Sequence, residues 1–206
     1  MTPFLPPAIA ITILLLLQLV PLPTLAVSMP STAYIRDEDG EPLLNGGTYY
    51  IIPQRTNGGG LTVAQKAQTT PCPLFIAQEK DGSSNGHAFK ITSPISSKYL
   101  PFGPTEFYLT KVTTTCTKPL AWRLITDNAT GHIYVAAGTT QSLGPTAFSI
   151  TGPFFYVQPF EYQIFYCDNV LCKLAGLYEN GLLGMNHDVN LAYRFRKAFT
   201  HTSQVM

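Results

Sequence analysis

Four cysteines, four histidines, a close acidic pair and one proline-bounded polar segment are the parts of this 206-residue chain with the types and spacing to do chemistry. Cys72, Cys116, Cys167 and Cys172 are even in number. In a secreted chain that reads as two disulfides, with three connectivities open. The Cys–x4–Cys spacing of 167 and 172 admits zinc as the rival chemistry, but no histidine adjoins it in sequence. His87, His132, His187 and His201 are scattered without a metal-ligand spacing. They read as surface or hydrogen-bonded histidines, so neither a metal nor a cofactor is expected. No GxSxG elbow supports a Ser-His-Asp triad. Asp37 and Asp39 stand just before Gly40, where capping of a turn explains them better than acid–base work. Catalysis is therefore not expected.

The elements that must position these residues are short strands. No stretch sustains a 3.6-residue apolar period. β-branched and aromatic runs occupy 48–52, 74–78, 107–112, 122–126, 132–136, 148–150, 162–167 and 191–195, separated by Gly, Pro, Asn and Thr turns. That pattern predicts an all-β sandwich or barrel. TYYII at Thr48, FYLTKV at Phe107 and YQIFYC at Tyr162 form a faint threefold repeat. Trp122, the single tryptophan, lies in LAWRLI and is expected in the core or under a barrel cap. Arg194, Arg196 and Lys197 read as a solvated strand face. Asn128-Ala129-Thr130 is an N-glycosylation sequon in an expected turn.

Composition narrows the class further. Net charge is +1 and only 12% of residues are charged, which supplies no basic patch for nucleic acid or for an anionic membrane. Residues 1–35 carry no charged side chain. The predominantly apolar run 8–20 is short for a bilayer span and ends at Pro21 and Pro23. Thr24-Leu25-Ala26 offers small residues for a signal peptidase, and Ser31-Thr32-Ala33 offers a second site. The expected organisation is a cleaved signal peptide over 1–26, one domain over 27–199 and a loose tail over 200–206. About 180 residues would remain after processing, enough for one domain with a real core.

Residues 35–51, IRDEDGEPLLNGGTYYI, carry a spaced set: Ile35, Asp37, Gly40, Leu43, Tyr49 and Ile51. This set resembles the N-terminal signature of the plant Kunitz-type protease inhibitors. The likeness continues through CPL at Cys72 to NGLLGMNHD and NLAYRFRKA near the end, so it covers nearly all of the chain after residue 26. It implies a β-trefoil of about twelve strands in three pseudo-repeats, and disulfides Cys72–Cys116 and Cys167–Cys172. It also implies that the chain is an inhibitor and not an enzyme.

The resemblance points to the segment between the first two cysteines as the inhibitory loop. Residues 91–98 read ITSPISSK, and Pro94 and Pro101 restrict φ around an exposed stretch. A protease substrate lies extended in its cleft, so a loop already held extended avoids an ordering cost. Counted from Cys72 without gaps, Ser96 takes the position that enters the protease's primary specificity pocket. Pro94 and Ile95 then precede it, with Ser97 and Lys98 after it. The family's trypsin inhibitors carry Arg or Lys at that position, so Ser96 departs from them and suits a smaller pocket. A two-residue shift would present Lys98 instead. Asn45, just before Gly46 and Gly47, matches the asparagine that holds the family's loop from beneath; its other reading is that it serves its own turn. Lys173, just after Cys172, is an alternative reactive residue or a solvated turn lysine.

The expected function is a secreted monomeric inhibitor, extracellular or vacuolar, of a serine endopeptidase, with no nucleic-acid partner and no membrane partner after processing. The alternatives are a storage or defence trefoil that has lost inhibition, and an inhibitor of cysteine proteases through another loop.

Overall fold

The computed structural model describes residues 34–66, 72–111, 121–137, 146–152, 159–168, 170–186 and 191–198. The expected signal peptide, the tail, Cys116, His187 and His201 lie outside them. Twelve strands and no helix occur among the described residues. They are β1 (Thr48–Pro53), β2 (Leu61–Gln65), β3 (Leu74–Gln78), β4 (Ala88–Thr92), β5 (Gly103–Lys111) and β6 (Trp122–Thr126). The series continues with β7 (Ile133–Ala137), β8 (Phe148–Thr151), β9 (Gln163–Cys167), β10 (Cys172–Leu177), β11 (Leu183–Asn186) and β12 (Tyr193–Lys197).

Six of these form a closed ring. β12 pairs β1, β1 pairs β4, β4 pairs β5, β5 pairs β8 and β8 pairs β9, all antiparallel. The ring shuts where Tyr162 and Tyr193 exchange backbone hydrogen bonds of 2.9 and 2.8 Å. Closure leaves no open sheet edge in the barrel. The other six strands are hairpins β2–β3, β6–β7 and β10–β11, drawn together by the β3–β7 and β7–β11 pairings and by an Ala77–Leu182 bridge. A six-stranded barrel with three hairpins at one end is a β-trefoil. The three aromatic repeats fall in or beside β1, β5 and β9, the first strand of each four-stranded unit.

Alternation fills the barrel. Tyr49 and Ile51, Phe89 and Ile91, Phe107 and Leu109, and Tyr193 and Phe195 all point inward and are buried. Trp122 lies among them, edge-on to Phe89 (5.3 Å) and Phe148 (5.7 Å). The outward residues of β12 differ from their expected solvation. Lys197 is exposed, but Arg194 pairs with the buried Glu161 at 3.1 Å, as Arg55 does at 3.3 Å. Arg196 pairs with Glu38 and also reaches Asn85. These strand-face arginines therefore have partners because Glu161, Glu38 and Asn85 fold across to meet them.

Cys167 and Cys172 are bonded and sit directly opposite across β9 and β10. Cys72 is also disulfide-bonded; its expected partner Cys116 lies outside the described residues.

Candidate functional site

The site begins with the first turn of the chain. Asp37, almost fully buried, accepts hydrogen bonds from Asp39 N (3.1 Å) and Glu41 N (2.9 Å), so of the acidic pair Asp37 caps the turn and Asp39 gives it a backbone N–H. Gly40 closes the turn at φ 82°, a conformation that costs a glycine little. The chain then enters a second turn, with Gly47 N donating to Leu44 O at 2.9 Å. Beneath it, the buried Tyr49 hydroxyl accepts from Leu44 N at 2.8 Å. Burial pushes the Tyr49 phenol above its ordinary pKa, with the Leu44 contact opposing, so it stays neutral.

That second turn is stitched to both ends of a protruding segment. Gly46 N donates to Ile91 O (2.7 Å), Ile91 N to Gly47 O (2.9 Å), and Asn45 N to Lys98 O (2.9 Å). The Asn45 side chain fills the space between. Its Nδ2 lies 3.1 Å from Ser93 O, 3.2 Å from Ile95 O and 3.2 Å from Ser97 O, and its Oδ1 accepts from Ser93 N at 2.9 Å. Two N–H groups serve three carbonyls, so one is shared. Asn45 thus spans residues 93–97 and does more than serve its own turn.

The bonded carbonyls alternate along the segment, which bends at 94–96 so that all three converge on Asn45. Ser93, Ile95 and Ser97 turn theirs inward to Asn45, while Pro94, Ser96 and Lys98 are exposed. The Ser96 carbonyl accepts no hydrogen bond from the described residues. Ser93 Oγ donates to Glu106 O at 2.8 Å, and Ser97 Oγ to Tyr99 O at 2.7 Å. Lys98 places its ammonium 5.2 Å from the Tyr99 ring centre, and Tyr99 packs on Tyr34 at 5.5 Å. Sequence reasoning named the loop and Asn45 but not the Tyr49 phenol or the Ser93 and Ser97 hydroxyls. Tyr49 stood in the matched signature, so its position was visible although its task was not.

The other predicted residues lie elsewhere. Lys173 is half-buried on β10, its backbone in the ladder opposite Tyr166. The hairpin tip before it is capped by Asp168, whose Oδ1 accepts from Val170 N and Leu171 N at 2.8 Å each; these bonds hold its carboxyl below its usual pKa. Asn128 is exposed in a turn closed by Gly131 N donating to Asp127 O at 2.7 Å. His87 Nδ1 lies 2.6 Å from Thr62 Oγ1, and His132 stacks on Tyr178 at 4.3 Å, both as satisfied side chains. Among the described residues no cluster of His, Cys, Asp and Glu could hold a metal, and no helix is long and apolar enough to cross a membrane.

Fold and site together define a β-trefoil that braces one exposed, bent loop through the Asn45 side chain. The family model described as trypsin and protease inhibitor, of the Kunitz legume type, matches residues 35–197, and the chain belongs to that family. It is accordingly a protease inhibitor by family and not an enzyme. Trypsin inhibitor 1B of Erythrina variegata is 30% identical over 153 residues, 70% of this chain and 84% of that one. An endogenous α-amylase/subtilisin inhibitor of Triticum aestivum is 27% identical over 154 residues, 71% of this chain and 84% of that one. Soybean trypsin inhibitor, solved in complex with porcine pancreatic trypsin, shares the fold with TM-score 0.67 at 23% identity, covering 81% of this chain and 100% of that one.

Proposed function

We propose that residues 93–98 are the substrate-like loop of a secreted, monomeric serine-protease inhibitor, with Ser96 entering the primary specificity pocket. The observation that carries this is the carbonyl pattern. Those of Ser93, Ile95 and Ser97 are held by Asn45, and the Ser96 carbonyl between the last two is left free for attack. Lys98, the residue favoured by a shifted register, has its carbonyl bound to Asn45 N, which supports the bond after Ser96. The Lys173 peptide sits in a strand ladder and 93–98 does not, which favours the 93–98 loop over it.

Docking adds this strand to the protease cleft, and the protease serine attacks the Ser96 carbonyl carbon. The Ser97 amine leaves but stays tethered, because Asn45 grips both sides of the cut. Resealing therefore competes with hydrolysis, and slow dissociation gives tight binding. A small uncharged Ser96 cannot neutralise the carboxylate of a trypsin-type pocket and fits smaller pockets of elastase or subtilisin type. The relatives named for trypsin and for subtilisin are consistent with one scaffold serving different pockets. Residues 1–26 act as the signal peptide, 27–199 as the inhibitor domain and 200–206 as a tail. The exposed Asn128 carries the glycan, and the product is extracellular or vacuolar.

The test is Ser96→Arg. A correctly posed loop gains nanomolar trypsin inhibition that the parent lacks. A variant that folds and still ignores trypsin overturns the assignment, and inhibition of papain alone by the parent would favour a cysteine-protease inhibitor working through another loop.

A further inference from the structure

The loop carries one device on the leaving-group side that the Asn45 brace does not explain. Ser97 follows the proposed scissile bond, and its hydroxyl is bound in both senses. Oγ donates to Tyr99 O at 2.7 Å and accepts from Tyr99 N at 3.3 Å. Tyr99 is itself fixed, since it bridges Leu44, and the next residue donates from Leu100 N to Leu43 O at 2.9 Å. Ser97 is half-buried beside the exposed Ser96, so its side chain faces the scaffold while its neighbour faces out.

We infer that the Ser97 hydroxyl is a positioning group that keeps the leaving amine in register for resealing, a role that rests on the 96–97 bond being the bait. When the protease serine attacks, the Ser96 C–N bond breaks. A proton passes from the protease histidine to the Ser97 nitrogen, and Ser96 becomes an ester on the protease. Resealing reverses this: the Ser97 amine attacks the ester carbon, returns a proton to the histidine and releases the protease serine. Hydrolysis instead uses water and ends with a Ser96 carboxylate and a Ser97 ammonium. The choice depends on where the amine sits while the ester lives.

Before cleavage the peptide bond itself holds Ser97. After cleavage that restraint is gone, and the stump can regain backbone freedom. Three contacts then oppose fraying: Asn45 Nδ2 on Ser97 O, Asn45 N on Lys98 O, and the Ser97 hydroxyl on Tyr99. The hydroxyl lies three bonds from the amine nitrogen, as the Ser97 carbonyl oxygen does, and it fixes the side chain on the same carbon that bears the amine. The intact chain keeps this contact and a frayed cut chain loses it, so it weights the equilibrium towards the intact chain.

The experiment uses the full mature chain carrying Ser96→Arg, with a catalytic amount of trypsin, and follows the cut-to-intact ratio to equilibrium by reducing electrophoresis. Adding Ser97→Ala raises that ratio about fivefold, which is ~1 kcal/mol. Adding Ser97→Thr, which restores a hydroxyl, returns it to within twofold of the Ser97 chain. A ratio unmoved by Ser97→Ala, or moved equally by Ser97→Thr, overturns this role while leaving the loop assignment standing. Cleavage at a bond other than 96–97 overturns the loop assignment itself, and this role with it.

Discussion

Replacing Asn45 tests the brace directly, and its magnitude can be worked from the contacts. The side chain has two N–H groups shared among the carbonyls of Ser93, Ile95 and Ser97, and one oxygen that accepts from Ser93 N. Three hydrogen bonds' worth of restraint are therefore lost in Asn45→Ala. At a net ~0.5–1.5 kcal/mol each the sum is ~1.5–4.5 kcal/mol. The loop is half-exposed, so water replaces part of it, and ~1.5–3 kcal/mol is the expected loss. That corresponds to inhibition weaker by about 10- to 150-fold. Asn45→Asp is expected to be worse than Asn45→Ala. It removes both donors and sets a carboxylate against three carbonyl oxygens, whereas alanine leaves only a gap. The assay is the inhibition constant of each variant in a Ser96→Arg chain against trypsin, with thermal unfolding measured in parallel. Inhibition within twofold of the Asn45 chain, or aspartate better tolerated than alanine at neutral pH, would refute the brace.

Three further outcomes follow from the packing and charge. Tyr49→Phe keeps the ring but leaves Leu44 N without its partner, so denaturant unfolding should show a loss of ~1–3 kcal/mol and the inhibition constant should rise with it. Asp127 is held down to about 2, from an ordinary 3.8, first by the Lys66 ammonium at 2.5 Å and then by Ala129 N. Its folded-state pKa is lowered, so its stabilisation is present above about pH 4 and fades as pH falls towards 2; in Asp127→Asn the denaturation midpoint should change less between pH 5 and pH 2 than in the parent. Trp122, fully buried between Phe89 and Phe148, should emit at short wavelength and shift red only on barrel unfolding, and Trp122→Phe should cost ~1–3 kcal/mol in chemical denaturation through the space it leaves.

The barrel was legible where side chains declare it. β1, β5 and β9 carry aromatic and β-branched runs, and those runs revealed the threefold plan. β4 escaped notice because its apolar pair Phe89 and Ile91 is split by the exposed Lys90 and runs straight into the polar loop. β10 and β11 were hidden by glycine. Gly176 and Gly184 pair across the hairpin, and a Cβ on Gly184 would come within 2.4 Å of Ile133 O and 2.2 Å of the Tyr178 ring. A residue that local propensity reads as a breaker is there because two chains pass too close for a side chain. Propensity describes one strand at a time and cannot register that approach.

The site was legible to a different depth. Asn45 before two glycines reads as a turn from chemistry alone, and only the family likeness suggested a second task. The structure shows both at once: backbone N to Lys98, side chain to Ser93, Ile95 and Ser97. The partners lie about fifty residues away, so no local pattern could hold that information. Sequence separations of 33, 158 and 111 likewise hide the partners of the β12 arginines, Glu161, Glu38 and Asn85. Ser97 differs again. Its bond to Tyr99 is local, yet a serine two residues before a tyrosine carries no signal until the loop's course is known.

The central claim is that the bond between Ser96 and Ser97 is the one offered to a protease. Mass spectrometry of the chain after long incubation with a catalytic amount of subtilisin, with disulfides reduced before measurement, reads that bond directly. The account predicts one dominant pair of products, ending at Ser96 and beginning at Ser97, in slow equilibrium with intact chain. A first cut within 168–174, a cut after Lys98, or rapid digestion through several bonds of the 91–98 segment would contradict it.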